Sequence, residues 1–342
     1  MHTFKTHPFK AVSFVESSVE KALESAGYLI ADVKYDGVRG NIVVDNVADS
    51  SWLSRVSKPI PALSHLNGFD DRWQRLLRDD RCFFPDGFML DGELMVNGVD
   101  FNTGSGILRS KWVSSKNEEF NSYDPEYTSS GKLVKNQPFH LMADRLKVRL
   151  YAVLPYHVAE SGEEYGVMNL LMKEHVRNML PLLREHFPEI EWHAAESYDV
   201  FDLTELNALY EQKRSEGHEG LIVKDPTCNY KRGKKTGWWK MKPENEADGT
   251  VIGLVWGTPG LANSGKVVGF EVLLENGRVV NACNVSRALM DEFTEAVKEH
   301  GEPHYNGWSC QVSYMEETPD GSLRHPTFVT FRGTEDNPTE KM

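Results

Sequence analysis

The feature that most restricts the fold is a pair of β-rich runs on either side of Asp36-Gly37, in the segment YLIADVKYDGVRGNIVVD. Val, Ile and Tyr favour extended backbone, and Asp-Gly is a strong turn dipeptide. The segment therefore predicts a strand, a tight turn and a second strand, together forming a hairpin. Lys34 would end the first strand and Arg39 would lie in the second.

Other periodic segments predict a mixed α and β fold. The runs GFMLDGELMV, LKVRLYAVLP and LIVK are typical of strands. Apolar spacing predicts helices over 17–26, 168–187 and 203–217, the last with Asp202 as its N-cap.

The polar residues 109–139 predict a long surface loop. The last hundred residues predict about five short strands and a helix capped by Ser286, which together suit a small Greek-key barrel.

The charge of the chain is unevenly distributed. A formal net charge of −13 over 342 residues, taken alone, argues against a nucleic-acid binder. However, residues 224–242 hold seven basic residues and one acidic residue, a net of +6, whereas residues 243–342 carry a net of −9. The sign changes at the polar joint KPEN, so we expect two domains, 1–242 and 243–342. The net charge therefore does not exclude DNA as a partner.

Cysteine spacing and hydropathy exclude several classes of protein. The four cysteines include no CxxC pair and have no histidine nearby at finger spacing, which argues against a zinc site. They are also too sparse for a disulfide scaffold. A reducing, cytoplasmic location is the natural expectation. No stretch of 18 apolar residues and no signal-peptide pattern is present, so we expect no membrane association.

Two motifs in the first half carry groups suited to catalysis. In KYDGVR, Lys34 could act as a nucleophile if neighbouring cations and burial lowered its pKa. The alternative is an ordinary hairpin with an exposed lysine. In Asp91-Gly92-Glu93, a carboxylate could bind magnesium or a ribose hydroxyl. The alternative there is a β-turn with a solvated acid.

Two further motifs suit phosphate and metal binding. In EGHEGLIVK, Glu219 could bind a divalent cation and Lys224 a phosphate, while His218 favours a structural role. In GWWKMK, Lys240 and Lys242 would share one strand face. The two tryptophans imply a partly buried strand, where unpaired cations are costly, so a triphosphate would compensate them. A solvated charged surface is the alternative.

The order of these motifs resembles that of the covalent nucleotidyltransferase superfamily of ATP-dependent DNA ligases and messenger-RNA capping enzymes. The segments HPFKAVSFVES, WLSRVSK, FNTGSGILRSKW, EGHEGLIVKDP and GWWKMKPENEADG are similar to those of the short DNA ligases of T-odd bacteriophages. This resemblance spans nearly the whole chain. It implies an α+β fold, in which an adenylation (nucleotidyltransferase) domain of antiparallel sheets with flanking helices precedes a small OB-fold β-barrel.

The resemblance also implies roles for individual residues. Lys34 would attack the α-phosphorus of ATP and form a lysyl-AMP. Glu93 and Glu219 would bind Mg²⁺ or Mn²⁺, and Tyr151 would stack on the adenine. The residues implied to contact the nucleotide are Asp32, Val33, Tyr35, Arg39, Arg55, Glu93, Tyr151, Lys224, Lys234 and Lys240. In the tail, Arg332, Asp336 and Lys341 depart from the family's RxDK spacing, so no residue there is assigned to orient pyrophosphate.

The implied activity is ATP-dependent sealing of nicks in duplex DNA in replication, repair and recombination. It proceeds through lysyl-AMP and DNA-adenylate intermediates and releases pyrophosphate and AMP. Nicked double-stranded DNA would be the partner of a monomer in the cytoplasm of an infected bacterium. A GTP-dependent RNA capping guanylyltransferase or an RNA ligase is the nearest alternative, since both share the lysine motif. A non-catalytic nucleic-acid-binding module is disfavoured, because a binder needs no nucleophile with metal-binding acids.

Overall fold

The computed structural model describes residues 1–333, which form two compact units. The first unit comprises residues 1–12, 17–201 and 223–239, and the second comprises residues 13–16, 202–222 and the chain from 240 on. The α+β class is confirmed. The domain boundary after residue 242 stays a prediction, because the division into units assigns residues 202–222 differently.

The secondary structure consists of eighteen strands, seven α-helices and four short 3₁₀ helices within residues 1–333. The strands are β1 (Phe9–Ser13), β2 (Leu29–Lys34), β3 (Val38–Asp45), β4 (Asp49–Ser54), β5 (Gly68–Phe69), β6 (Gly87–Val96), β7 (Leu146–Pro155), β8 (Tyr165–Met168), β9 (Glu191–Ala194), β10 (Ser197–Val200), β11 (Gly220–Lys224), β12 (Asn229–Tyr230), β13 (Gly233–Met241), β14 (Asn245–Trp256), β15 (Val267–Leu274), β16 (Val279–Ala282), β17 (Ser309–Tyr314) and β18 (Thr327–Gly333). The α-helices are α1 (Glu16–Ala26), α2 (Asp71–Arg78), α3 (Phe101–Arg109), α4 (Tyr156–Ser161), α5 (Asn169–His186), α6 (Leu203–Ser215) and α7 (Arg287–His300). The 3₁₀ helices are Pro61–Leu66, Glu118–Phe120, Ala143–Arg145 and Glu302–Tyr305. None of the described helices is long and apolar enough to cross a membrane.

The predicted lysine hairpin is wrong in its pairing. Strands β2 and β3 exist with a turn between them, but they belong to different sheets. β2 lies in a five-stranded sheet of order β1-β13-β11-β2-β10, whereas β3 lies in a six-stranded sheet of order β5-β4-β3-β6-β7-β9. The turn at Asp36-Gly37 therefore carries the chain from one sheet to the other and leaves Lys34 at a sheet end.

Packing rather than turn geometry accounts for Gly37. Its φ is not in the left-handed region, but a Cβ added there would lie 2.6 Å from Glu93 Cγ and 2.7 Å from the Leu94 carbonyl oxygen. Only glycine allows the turn to approach β6 this closely. The turn that follows Lys34 is thus packed directly against the strand that carries Glu93.

The core of the first unit lies beneath the six-stranded sheet. It contains the fully buried rings of Trp52, Trp73, Phe88 and Trp192 together with the apolar face of α5. Helix α5 continues through Pro181. This core supports β3 and β6, the two central strands of the sheet.

The expectation that residues 109–139 form a surface loop is only partly right. The segment has little regular structure, but Val113, Phe120 and Phe139 are buried in the core of the first unit. Isolated β-bridges, such as the one between Trp112 and Pro138, fix its ends. The few apolar residues of this polar stretch therefore anchor it.

The second unit contains the expected five strands and one helix at its C-terminal end. The strand order is β16-β15-β14-β17-β18, and all pairs are antiparallel. A parallel bridge between Cys283 and Thr327 connects the two sheet edges, which makes the sheet OB-fold-like. Ser286 caps α7 by accepting from the Leu289 N–H, and Asp202 caps α6 by accepting from the Glu205 N–H, both as predicted.

We expect Phe270→Ala to destabilise the second unit by about 3–5 kcal/mol, because it leaves a cavity in a well-packed core. The Phe270 ring is fully buried, and the ring centroids of Phe293 and Phe328 both lie 5.1 Å from it. Urea unfolding followed by circular dichroism would measure the loss. Leu261→Ala, at a loop residue that is 66% exposed, is the control and should change the free energy of unfolding by less than about 0.5 kcal/mol.

Candidate active site

A cavity of about 310 Å³ opens in the first unit between α5 and the strands β2, β7 and β11. Helix α5 contributes Met172, Val176 and Leu180, which lie on one face because they are four residues apart. Asp32 on β2 and Lys224 on β11 contribute charged groups to the same cavity. A mostly apolar cavity with a few convergent polar groups is typical of a small-molecule site.

Asp32 and Lys224 form a buried ion pair in this cavity. The Lys224 Nζ lies 2.6 Å from Asp32 Oδ2, and both residues are 5% exposed. Burial lowers the pKa of Lys224, and the Asp32 carboxylate opposes that shift. The second oxygen, Asp32 Oδ1, is buried without a hydrogen-bond partner among the described residues. A buried acceptor of this kind is normally satisfied, so the cavity has capacity for a donor on a ligand.

Aromatic rings surround the Lys224 ammonium. Its Nζ lies 4.0 Å from the centroid of the Trp238 ring and 5.6 Å from that of the Tyr151 ring. Tyr151 also lines the cavity, and the Arg39 guanidinium lies 4.9 Å from its ring centroid. The cavity therefore combines a buried cation with aromatic rings.

Lys34 and Glu93 lie at the end of β2 and in β6. Glu93 is 9% exposed, and burial raises the pKa of its carboxyl to about 7. The positive charges of Arg39 and Lys34 oppose that rise, which places the Lys34 ammonium within electrostatic reach of Glu93. The Tyr151 hydroxyl donates to Glu93 Oε2 at 3.3 Å. The structure thus brings together three predicted site residues, Lys34, Glu93 and Tyr151.

Asp91 has a structural role that sequence reasoning missed. The alternative of a β-turn with a solvated acid is wrong for this motif, because Asp91 is fully buried within the continuous strand β6. Its carboxylate accepts two hydrogen bonds from Arg39 at 2.6 and 2.7 Å, one from Asn41 at 2.9 Å and one from Tyr230 at 2.5 Å. The turn-like break at Gly92 is a bulge against β7. The nucleotide contact of Arg39 stays a prediction.

Val33 and Tyr35 flank Lys34, and both form hydrogen bonds with the backbone of Glu196. The Val33 N–H donates to the Glu196 carbonyl oxygen at 2.8 Å, and the Tyr35 hydroxyl accepts from the Glu196 N–H at 3.0 Å. The Arg149 guanidinium lies 4.5 Å from the Tyr35 ring centroid. These contacts hold the backbone on both sides of Lys34.

The structure does not place Arg55 and Lys234 at the cavity. Arg55 is exposed in the turn after β4, and Lys234 is exposed on β13. Neither side chain makes a hydrogen bond or ion pair with any residue in 1–333. Their predicted contacts with the nucleotide remain predictions.

In the second unit, the predicted lysine pair already has carboxylate partners. Lys242 Nζ lies 2.7 Å from Glu219 Oε1, and Lys240 Nζ lies 2.7 Å from Glu244 Oε1. The inference that these lysines require a polyanion is therefore wrong for the protein alone. The assignment of Glu219 to a metal stays a prediction.

The tail residues give no assignment for pyrophosphate. Arg332 forms an ion pair with Asp248, 3.1 Å apart, within the second unit. Asp336 and Lys341 lie outside the described residues.

Sequence reasoning also missed Asn169 and the cavity face of α5. Asn169 is buried, lines the cavity, accepts from Trp238 Nε1 at 2.9 Å and donates to the Asp225 carbonyl oxygen at 2.8 Å. The apolar spacing of α5 was visible in the sequence, but it predicts burial and cannot distinguish a cavity wall from a core. No pattern in the sequence marks Asn169 as a residue of the cavity.

Comparisons with known proteins show family matches over nearly the whole chain. Residues 8–242 match the model of the ATP dependent DNA ligase domain. Residues 243–304 and 301–332 match the model of the DNA ligase C-terminal domain.

Two curated relatives are similar over their full length. The DNA ligase of Escherichia phage T7 is 68% identical over 361 aligned positions, and that of Enterobacteria phage T3 is 69% identical over 346. Each alignment covers 100% of both proteins. The solved structure of the ATP-dependent DNA ligase from bacteriophage T7 in complex with ATP matches with a TM-score of 0.87, covering 96% of this chain and 99% of that chain. The Chlorella virus DNA ligase-adenylate, 18% identical with a TM-score of 0.55 and covering 97% and 100%, shares the fold.

We expect the raised pKa of Glu93 to appear in the pH dependence of stability. Because the folded-state pKa of about 7 exceeds the ordinary glutamate value of 4.5, the folded protein binds the proton more tightly than the unfolded chain. The contribution of the Glu93 proton to the free energy of unfolding is therefore complete below pH 4.5. It is lost as the pH rises through 7. Glu93→Gln should remove this decline and be more stable than wild type by roughly 3 kcal/mol at pH 8.

Urea unfolding between pH 4.5 and 8.5 would measure this difference. Glu24→Gln, at an exposed position of α1, is the matched control and should follow the wild-type profile. Parallel profiles for wild type and Glu93→Gln would contradict the buried-carboxyl interpretation.

Proposed function

Since the chain belongs to the family of ATP-dependent DNA ligases, we propose that Lys34 is its nucleophile and that the cavity beside α5 binds ATP. The observation that carries this proposal is the grouping of Lys34 and Glu93 with a cavity that contains a buried lysine, an aromatic ring and an unsatisfied acceptor. In the first step, the neutral amine of Lys34 attacks the α-phosphorus of ATP. A P–N bond forms, the bond to pyrophosphate breaks, and the amine proton is released.

The cavity is chemically suited to a purine nucleotide. The apolar face of α5 and the ring of Tyr151 offer surfaces for the flat base, because aromatic side chains stack well on nucleobases. Asp32 Oδ1 can accept a hydrogen bond from the nucleotide, and Lys224 offers a buried positive charge for phosphate. Arg39, Val33 and Tyr35 keep β2 and β3 in place around this nucleotide.

Phosphate charge must be neutralised for nucleotidyl transfer to proceed. A carboxyl with a pKa of about 7 is partly ionised near neutral pH, so Glu93 fits a divalent cation that would restore its charge. We assign Glu93 and Glu219 to Mg²⁺ or Mn²⁺, which, when bound, neutralises charge on the phosphates. Arg55 and Lys234 are exposed cations available for the phosphates of ATP or DNA. Lys240 would have to leave Glu244 to contact a phosphate.

The AMP then passes to the 5′-phosphate at a nick in duplex DNA, and the adjacent 3′-hydroxyl displaces it to seal the strand. Nicked duplex DNA is the proposed partner of a monomer in the cytoplasm of an infected bacterium. The proposed domains are an adenylation domain, 1–242, and an OB-fold domain, 243–342. The division of the two family matches at residue 242 supports this boundary. The GTP-dependent capping and RNA-ligase alternatives are not favoured, since both phage relatives are DNA ligases.

We expect Lys34→Arg to abolish formation of the enzyme–AMP intermediate. Arginine keeps the positive charge, but it stays protonated and cannot attack phosphorus. Incubation with α-phosphate-labelled ATP and Mg²⁺, followed by denaturation, would detect acid-labile label on the wild type only. Labelled GTP should give no product. Lys21→Arg, at an exposed position of α1, is the control.

A second measurement separates the nucleophile from the later steps. Lys34→Arg should retain measurable sealing of a nick whose 5′ end already carries AMP, because the lysine has finished its chemistry by then. Label on Lys34→Arg, or label from GTP in place of ATP, would overturn the proposal. Sealing of nicked RNA but not nicked DNA would overturn the choice of substrate.

We expect Tyr151→Leu to raise the KM for ATP by roughly tenfold to a hundredfold, since stacking of a base on an aromatic ring contributes about 1–3 kcal/mol. Tyr151→Phe keeps the ring and loses only the hydroxyl that donates to Glu93. It should therefore retain a KM within about threefold of wild type. Steady-state adenylation kinetics at varied ATP would measure both, and equal KM values for the two variants would argue against stacking.

A further inference from the structure

The first unit contains a second group of metal-ligating side chains, formed by His2, Asp45 and Asp49. Their ligand atoms all lie within 4.8 Å of one another. Asp45 ends β3 and Asp49 begins β4, so one tight turn carries both carboxylates. None of the three residues lines the cavity or has a part in the nucleotidyl transfer proposed above.

The His2 ring is held with one nitrogen toward the carboxylates. Its Nδ1 lies 2.8 Å from the hydroxyl of the fully buried Ser51, and its Nε2 lies 2.9 Å from Asp45 Oδ2 and 4.0 Å from Asp49 Oδ2. The His2 side chain is 7% exposed. Metal-binding histidines usually have this arrangement, in which a hydrogen bond to the second nitrogen fixes the orientation of the ring.

The distances in the cluster suit a small tetrahedral ion. Zinc lies about 2.0–2.2 Å from nitrogen and oxygen ligands, which puts neighbouring ligand atoms about 3.4 Å apart. The two separations from His2 Nε2, 2.9 and 4.0 Å, lie on either side of that value. Asp45 Oδ1 is used by the Val47 and Asp49 N–H groups, both at 3.0 Å, so Asp45 Oδ2 faces His2. The Tyr156 ring packs edge-on against His2, with centroids 5.6 Å apart, and shields one side.

We propose that His2, Asp45 and Asp49 form a binding site for Zn²⁺, with water as the fourth ligand. One imidazole and two carboxylates match a divalent transition metal better than Mg²⁺ or Ca²⁺, which prefer ligand sets made entirely of oxygen. The ion joins the N-terminal segment to the turn between β3 and β4. Because such a site forms only in the folded chain, zinc binding stabilises the fold.

A similar cluster elsewhere in the first unit provides the control. Asp79, Glu185 and His186 also lie within 4.8 Å of one another. However, the Arg81 guanidinium lies 2.8 Å from an Asp79 oxygen and 2.6 Å from a Glu185 oxygen. A guanidinium, which cannot lose its proton, therefore already bridges both carboxylates, and zinc should not bind there. In the His2 cluster, by contrast, the Met1 amino group lies near Asp49 alone and does not bridge the two carboxylates.

The test uses the full chain with any purification tag at its C-terminus, because the Met1 amino group lies 3.5 Å from Asp49 Oδ2. Metal-free wild-type protein is titrated with ZnCl₂ by calorimetry, and with Co²⁺ for its visible absorption. We expect one equivalent to bind and the Tm to rise on binding. His2→Gln should weaken the affinity by roughly tenfold or more, and His186→Gln should not change it.

Asp49→Asn is a second, independent variant, and it should also lose the zinc-dependent rise in Tm. Unfolding curves recorded without metal show whether His2→Gln and Asp49→Asn are folded. Equal zinc affinity in wild type, His2→Gln and Asp49→Asn would overturn the proposal. So would loss of binding in His186→Gln alone, or displacement of zinc by an equal concentration of Mg²⁺.

Discussion

The geometry of the proposed active site depends on one buried carboxylate, that of Asp91. It accepts hydrogen bonds from Arg39 on β3 and from Tyr230 on β12, and it has no exposure to solvent. An isolated buried carboxylate would be very costly, so its partners must stay in place. Removing one partner of such a pair typically costs about 3–5 kcal/mol. Asp91 thereby holds together β3, which follows the turn after Lys34, and β6, which carries Glu93.

Close backbone packing supplies the second constraint. A Cβ at Gly37 would lie 2.6 Å from Glu93 Cγ, and one at Gly92 would lie 2.6 Å from the Arg149 carbonyl oxygen. Neither glycine has a left-handed φ. Both are therefore needed for close approach between chain segments. Gly37 lets the turn after Lys34 pack against β6, and Gly92 lets β6 pack against β7. This proximity lets the Lys34 charge act on Glu93 and oppose the rise in its pKa.

Local features of the fold were predictable, and long-range ones were not. Strand and helix positions followed from periodicity, and the caps Asp202 and Ser286 followed from local hydrogen bonding. The pairing of β2 and β3 with other strands could not be derived, because register depends on residues distant in sequence. For the same reason the structural role of Asp91 could not be derived from the sequence, since its partner Tyr230 follows it by 139 residues. The ion pair between Glu219 and Lys242 could not be predicted either, because the two residues are distant in sequence.

Carboxylate pairing also explains how an acidic chain can work on a polyanion. Lys240 and Lys242, which lie in the basic stretch 224–242, are each paired with a glutamate. Such half-buried pairs avoid unpaired charge in the protein alone. The net charge of −13 is still compatible with DNA as a partner, because the charge is unevenly distributed and the local groups, rather than the overall charge, meet the phosphates.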